Sequence, residues 1–73
     1  MARFLTEGDL RVLEDMIDRS SVKAVLEAVA GICDAKAEHV AEAWQDSGLA
    51  RKWGSAAKRV YTAARAAAVR SLP

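Results

Sequence analysis

Cysteine, proline and aromatic residues are scarce in this chain. Its 73 residues include one Cys, one Pro and only 5% aromatic residues. A single Cys cannot form an internal disulfide, which excludes a small secreted scaffold held together by disulfides. The sequence also lacks a run of roughly 18 apolar residues and the apolar stretch of a signal peptide. We therefore expect a soluble, cytoplasmic protein with no membrane partner.

The apolar residues, which make up 52% of the chain, are dominated by alanine. Alanine has the highest helix propensity but buries little area when it packs. A chain of this length is also near the size at which one hydrophobic core barely outweighs the conformational entropy lost on folding. We predict a single helical domain over residues 1–73, with a thin core that benefits from self-association.

Start signals divide the chain into three predicted helices. Thr6 is a good N-cap, and Asp9 stands where a capping box places an acidic side chain, so the first helix covers about residues 7–19. Ser20 and Ser21 supply the next cap, because a short hydroxyl can accept a hydrogen bond from the first-turn amides. The second helix then covers about residues 21–45.

The second and third predicted helices are the long ones. Gly31 lowers helix propensity by about 1 kcal/mol, so a break near residues 31–35 is the alternative to one continuous second helix. Residues 46–48, Asp-Ser-Gly, predict a turn, and a third helix follows over about residues 48–71. Its apolar residues recur at heptad spacing, and this predicted seam consists of Leu49, Trp53, Ala56, Val60, Ala63 and Ala67.

These elements predict an all-α fold in which a short N-terminal helix precedes a long antiparallel helical hairpin, giving a three-helix bundle. At 1.5 Å per residue the first helix is about 20 Å long, and the other two are about 36 Å and 33 Å. The short helix cannot cover the hairpin. We expect the apolar surface that is left on the second helix to pack against a second copy in a dimeric helical bundle.

Charge is divided unevenly along the chain. All ten acidic residues lie within residues 1–46, whereas residues 47–73 carry six cations and no acid. With the predicted seam, Arg51, Lys58 and Arg65 occupy heptad position f, which is farthest from the packing face. The candidate anion-binding ridge comprises Arg51, Lys52, Lys58, Arg59, Arg65 and Arg70.

Three interpretations of this ridge remain open. It is a solvated face that keeps an alanine-rich helix in solution, a surface that follows a nucleic-acid backbone, or the counterpart of acidic helices in a neighbouring subunit. The ridge has no Asn or Gln for base edges and one exposed aromatic candidate, Tyr61. Any nucleic-acid binding would therefore be largely independent of sequence.

Two tryptophans flank the predicted turn. Trp44 and Trp53 both fall on apolar stripes, so they can form a buried cluster at the closed end of the hairpin. Alternatively they provide a hot spot for a protein partner, because Trp is enriched at such sites.

No residue pattern indicates catalysis or metal binding. Cys33 and His39 are six residues apart, which on a helix is about 600° of rotation and about 9 Å along the axis, so they cannot form a nucleophile pair. Cys33 instead faces the apolar stripe as a small hydrophobe. His39 and Glu42 have the order His-x-x-Glu in one copy, whereas carboxylate-bridged metal bundles use Glu-x-x-His with further carboxylates.

We therefore predict that the chain is not an enzyme and needs no cofactor. The leading hypothesis is a small cytoplasmic helical module for protein–protein interaction, an adaptor or regulator that acts as a homodimer and binds an unidentified protein. The alternative is nucleic-acid backbone binding, without sequence specificity, through the cationic face of the third helix.

Overall fold

The structure, a computed structural model, describes residues 4–73. About 83% of these residues are helical and none lies in a strand, which confirms the all-α prediction. The helices are α1 (Glu7–Arg19), α2 (Val22–Ala43), α3 (Ser47–Arg65) and the single turn α4 (Ala67–Arg70). Over residues 4–73 none of them combines the length and the apolar character that crossing a bilayer would require.

The first two helices begin at the caps that the sequence predicts. The Thr6 hydroxyl accepts a hydrogen bond from the Asp9 amide at 3.1 Å, and an Asp9 carboxylate oxygen accepts one from the Thr6 amide at 2.9 Å. This capping box lowers the pKa of Asp9 below its usual value, because the Thr6 amide stabilises the ionised carboxylate. The Ser21 hydroxyl accepts a hydrogen bond from the Ala24 amide at 3.0 Å. From there α2 is continuous through Gly31.

The turn between α2 and α3 lies slightly earlier than the sequence predicts. Gln45 adopts φ 51°, the left-handed conformation that commonly ends a helix, although Gly or Asn is the usual residue there. The Asp46 carboxylate then accepts a hydrogen bond from the Leu49 amide at 3.0 Å and caps α3. Gly48 is consequently the second residue of α3 rather than part of the turn.

Helices α2 and α3 form the closely packed part of the molecule. A three-residue connection between long helices makes them antiparallel neighbours. The buried residues all lie in this pair and have small or medium side chains, namely Ala30, Cys33 and Val40 of α2 and Ala57 and Ala64 of α3.

The seam of α3 is displaced from the prediction by one residue at alternate positions, where Ala50, Ala57 and Ala64 replace Leu49, Ala56 and Ala63, while Trp53 and Val60 lie in it as predicted. Ala57 and Ala64 are buried, Ala56 is half-buried, and Ala63 and Ala67 are exposed. With half-buried Ala50, Trp53 and Val60, the buried alanines form the spacing 3, 4, 3, 4 of a heptad seam. The packing interface is therefore centred on Ala57.

The prediction of one helix from 48 to 71 is wrong at Ala66. This residue has φ −58° and ψ 139°, so α3 ends at Arg65 and α4 starts in a new direction. In a continuous helix Val69 would point about 120° away from the seam centre at Ala57. After the break α4 approaches α2, and Val69 is half-buried.

Helix α1 lies apart from α3. Within residues 4–73 the backbone of α1 approaches that of α2 and neither α3 nor α4, so the three longer helices do not surround a common core. Leu13 and Ile17 are half-buried, while Leu10 and Met16 on the same stripe are exposed. No large side chain of the described part of the chain is fully buried.

Candidate interaction surfaces

The α2–α3 hairpin has two broad sides of different chemistry. Each residue of a helix is rotated by 100° from the residue before it. When two helices pack antiparallel, the residues reached by turning in the same direction from each seam lie on the same broad side of the pair. The contact between Lys36 and Trp53 agrees with this geometry, since both residues lie on one flank of their seams and the ammonium is 5.7 Å from the ring centroid. Each surface residue can therefore be assigned to a side.

The charged side combines acids of α2 with cations of α3. Three acidic residues of α2 lie about 100–140° around the helix from the seam residue Cys33. Three basic residues of α3 lie about 80–120° from the seam residue Ala57 in the same direction of rotation. The charged side thus consists of Glu27, Asp34 and Glu38 with Arg51, Lys58 and Arg65, all of them exposed. Acids and bases run along neighbouring helices and attract each other weakly across the hairpin.

The candidate anion-binding ridge has a different placement from the one predicted. With the seam centred on Ala57, Arg51, Lys58 and Arg65 move from position f to position b, beside the acids of α2. Lys52 and Arg59 point farther outward at position c and are exposed. Arg70 belongs to α4 and is separated from the other five by the break at Ala66.

The α3 cations have no ion-pair partner within 4.0 Å among residues 4–73. Other cations form the exposed pairs found there, Arg19 with Asp15 at 2.9 Å in α1 and Lys23 with Glu27 at 2.9 Å in α2. The acids of α2 are therefore near the ridge but leave its donor groups free for an anion.

Trp44 and Trp53 do not form a buried cluster, which is one of the two arrangements that the sequence suggests for them. Trp44, the C-cap of α2, is 64% exposed, and its ring meets the His39 ring edge-to-face with centroids 6.2 Å apart. Trp53 is half-buried in the seam beneath Lys36. Trp44 is thus available to a partner, whereas Trp53 mainly contributes to the α2–α3 interface.

The opposite, apolar side carries a groove between α1 and α2. Its volume is about 540 Å³, and α1 forms one wall while one flank of α2 forms the other. Ile32 at its edge is 57% exposed and Val29 is 39% exposed. The residues that line the groove include Leu13, Met16, Arg19, Val25, Val29 and Ile32.

The apolar side extends from the groove onto α3. The flank of α3 with the same rotational sense as Val25 and Ile32 carries Leu49, Ala56 and Ala63. Their side chains are half-buried or exposed and bear no charge. The hairpin is therefore amphipathic across its thickness, with three acids and three cations on one broad side and mainly apolar groups, together with Lys36, on the other.

Cys33 and His39 occupy the places that their helical positions indicate. Cys33 is a buried free thiol in the seam, as predicted, and His39 is exposed on another flank of α2. In the part of the chain between residues 4 and 73, no three His, Cys, Asp or Glu side chains come close enough to hold a metal ion.

The groove is not among the features predicted from the sequence, although the pattern of apolar residues in α2 indicates it. The apolar residues of α2 cover two flanks, one facing α3 at Cys33 and Val40 and the other at Val25, Val29 and Ile32. A helix that packs against one neighbour needs an apolar stripe only about 100° wide. The second flank indicates a second packing partner, and α1 supplies only part of it.

Comparison of the chain with protein-family models, with curated proteins and with solved structures yields no match. The proposals on function therefore rest on the surfaces described above.

Proposed function

We propose that the protein is a helical protein–protein interaction module that acts as a homodimer, and that it works by binding rather than by catalysis. The observation that carries the proposal is the large apolar surface that one chain leaves uncovered. Ten large apolar or aromatic side chains among the described residues are exposed, and three of them, Met16, Val29 and Ile32, line the groove. Single exposed apolar residues are common on monomers, but a continuous patch indicates an interface.

The surface area supports this proposal quantitatively. The chain has an accessible surface of 5929 Å², whereas a compact monomer of the same mass exposes about 4,400 Å². The Cα radius of gyration is 14.2 Å, against about 11 Å for a compact domain of this length. The surplus of about 1,500 Å² per chain is within the range that obligate homodimers bury.

The proposal predicts a dimer in solution whose stability depends on concentration. Sedimentation equilibrium should give twice the chain mass of 7.9 kDa, and the midpoint of thermal unfolding should rise with protein concentration. Each tenfold increase in concentration favours a folded dimer over unfolded chains by about 1.4 kcal/mol. A monomer with a concentration-independent midpoint would contradict the proposal.

Nucleic-acid backbone binding is the second candidate function. It is favoured by the ridge cations Arg51, Lys58 and Arg65, which are exposed and have no ion pair among residues 4–73. They cover about 21 Å along α3, which suits a row of phosphates. It is disfavoured by Glu27, Asp34 and Glu38 on the same side of the hairpin, because their charges repel a polyanion.

This candidate predicts binding of a labelled duplex or single strand with a steep salt dependence, measured by fluorescence anisotropy. Replacing Arg51, Lys58 and Arg65 with Gln should reduce the slope of log affinity against log salt by about 2–3, since each phosphate contact contributes about 0.7–0.9. Replacing Arg11, Lys23 and Lys36 with Gln changes the net charge equally and is the matched control. Equal losses in both variants, or no binding at low salt, would remove the candidate.

A further inference from the structure

We infer that the second copy docks on the apolar side, with the α1–α2 groove of one chain receiving the Ile32 edge of the other across a two-fold axis. This inference rests on the proposed homodimer and specifies its interface. The alternative interface is the turn end of the hairpin, where Trp44 is exposed.

The segregation of charge selects this side of the hairpin. A two-fold contact on the charged side would bring the three acids and three cations of each chain into the interface with those of its copy. On the charged side this arrangement would desolvate Glu27, Asp34, Glu38 and the facing cations at a cost that exposed ion pairs do not recover. The apolar side carries fewer charges to desolvate, chiefly Arg19, which is paired with Asp15, and Lys36, which lies over the Trp53 ring.

Arg19, the one charged residue that lines the groove within residues 4–73, already has an ion-pair partner. Arg19 Nε lies 2.9 Å from an Asp15 carboxylate oxygen within the same helix. Two copies of the groove can therefore face each other without bringing unpaired like charges together. A strongly acidic or basic partner has no counterpart here, which makes the apolar side of a second copy the better match.

The two walls of the groove offer different apolar side chains to a second copy. Met16 is flexible and 36% exposed, whereas Ile32 is rigid, 57% exposed and stands at the edge. The Ile32 edge of one chain can thus fill the groove of its partner, and symmetry makes the contact twice. A surplus of about 1,500 Å² per chain is enough for such an interface.

Matched substitutions at two exposed apolar residues test the inference. Ile32→Glu places a charge in the proposed interface, and Trp44→Glu places the same charge at the turn end of the same helix, on a side chain of similar exposure. Sedimentation equilibrium of both variants and the unchanged chain gives the dimer dissociation constants, and circular dichroism over the same concentrations reports folding. We expect Ile32→Glu to weaken dimerisation at least about 30-fold, the loss associated with a hot-spot residue. Trp44→Glu should change it less than about threefold.

The possible outcomes distinguish a wrong interface from a wrong homodimer. Dimer loss in Ile32→Glu alone supports the inference, whether the resulting monomer stays helical or unfolds and regains helix at high concentration. A dimer that survives Ile32→Glu, or that both substitutions weaken equally, overturns the interface but keeps the homodimer. An unchanged chain that is monomeric at high concentration contradicts the homodimer itself.

Discussion

At the scale of single residues, small side chains decide how closely α2 and α3 approach. Ala30 and Ala64 are fully buried and Ala57 is 1% exposed, so no larger side chain fits at these positions without displacing the partner helix. Such close contact gives many weak dispersion interactions but little apolar area per residue. The hairpin is consequently well packed and still lacks a substantial core.

The buried alanines allow a direct test of the seam. Ala64→Leu should lower the free energy of unfolding by about 1–3 kcal/mol, because it overpacks the α2–α3 contact. Ala63→Leu is the comparison on the adjacent residue, which is exposed on the apolar side rather than packed against α2, so it should lower stability less than Ala64→Leu does. Urea denaturation of both variants at one protein concentration gives the comparison. A larger loss for Ala63→Leu would restore the seam expected from the sequence pattern.

The one-residue displacement of the seam has a simple physical origin. Ala63 and Ala64 have the same hydrophobicity, so no periodicity of apolar residues distinguishes the buried one from the exposed one. Trp53 and Val60 are large enough to mark the seam and lie in it as predicted, whereas Leu49 lies on the flank beside it. Beyond Val60 the helix contains too few large side chains to specify which flank faces α2.

At the scale of elements, helix starts are predictable and the break in α3 is not. Thr6, Ser21 and Asp46 each accept a hydrogen bond from the amide three residues later, and such caps are local and depend on residue type. Ala66 lies in a run of alanines, which favours an uninterrupted helix. The break depends on tertiary contact, since it brings α4 towards α2.

The break at Ala66 can be tested by a substitution that should stabilise the chain if the break exists and destabilise it if the helix is continuous. Ala66 precedes the first turn of α4 in an extended conformation and provides no side-chain cap. Ala66→Ser should therefore stabilise the chain by about 0.5–1 kcal/mol, by accepting a hydrogen bond from a first-turn amide. In a continuous helix the same change would destabilise it by several tenths of a kcal/mol. Urea denaturation distinguishes the two signs, and Ala63→Ser, inside α3, is the control that should destabilise.

The placement of α1 is likewise a tertiary property. The sequence indicates an amphipathic first helix with Leu13 and Ile17 on its inner face, and both are half-buried. It does not indicate that α1 packs against α2 without approaching α3. The groove at Met16, Val29 and Ile32 follows from that placement.

At the scale of the whole molecule, the chain is flat rather than globular. Its principal dimensions are 40, 30 and 17 Å, and its radius of gyration of 14.2 Å exceeds that of a compact domain of this length, about 11 Å. A flat arrangement of helices has too little interior to bury its large side chains. In the dimer that we propose, a second copy on the apolar side would supply the missing layer and leave the acids and cations of the charged side in water.

Sedimentation equilibrium is the decisive experiment for the proposal that this chain completes its fold with a second copy. The measurement covers a hundredfold range of protein concentration at physiological salt. We expect a species of twice 7.9 kDa. If it dissociates, it should do so only at the lowest concentrations, and helix should be lost as it dissociates. A folded species of 7.9 kDa throughout the range would contradict the account, because one chain would then be stable with its apolar side in water.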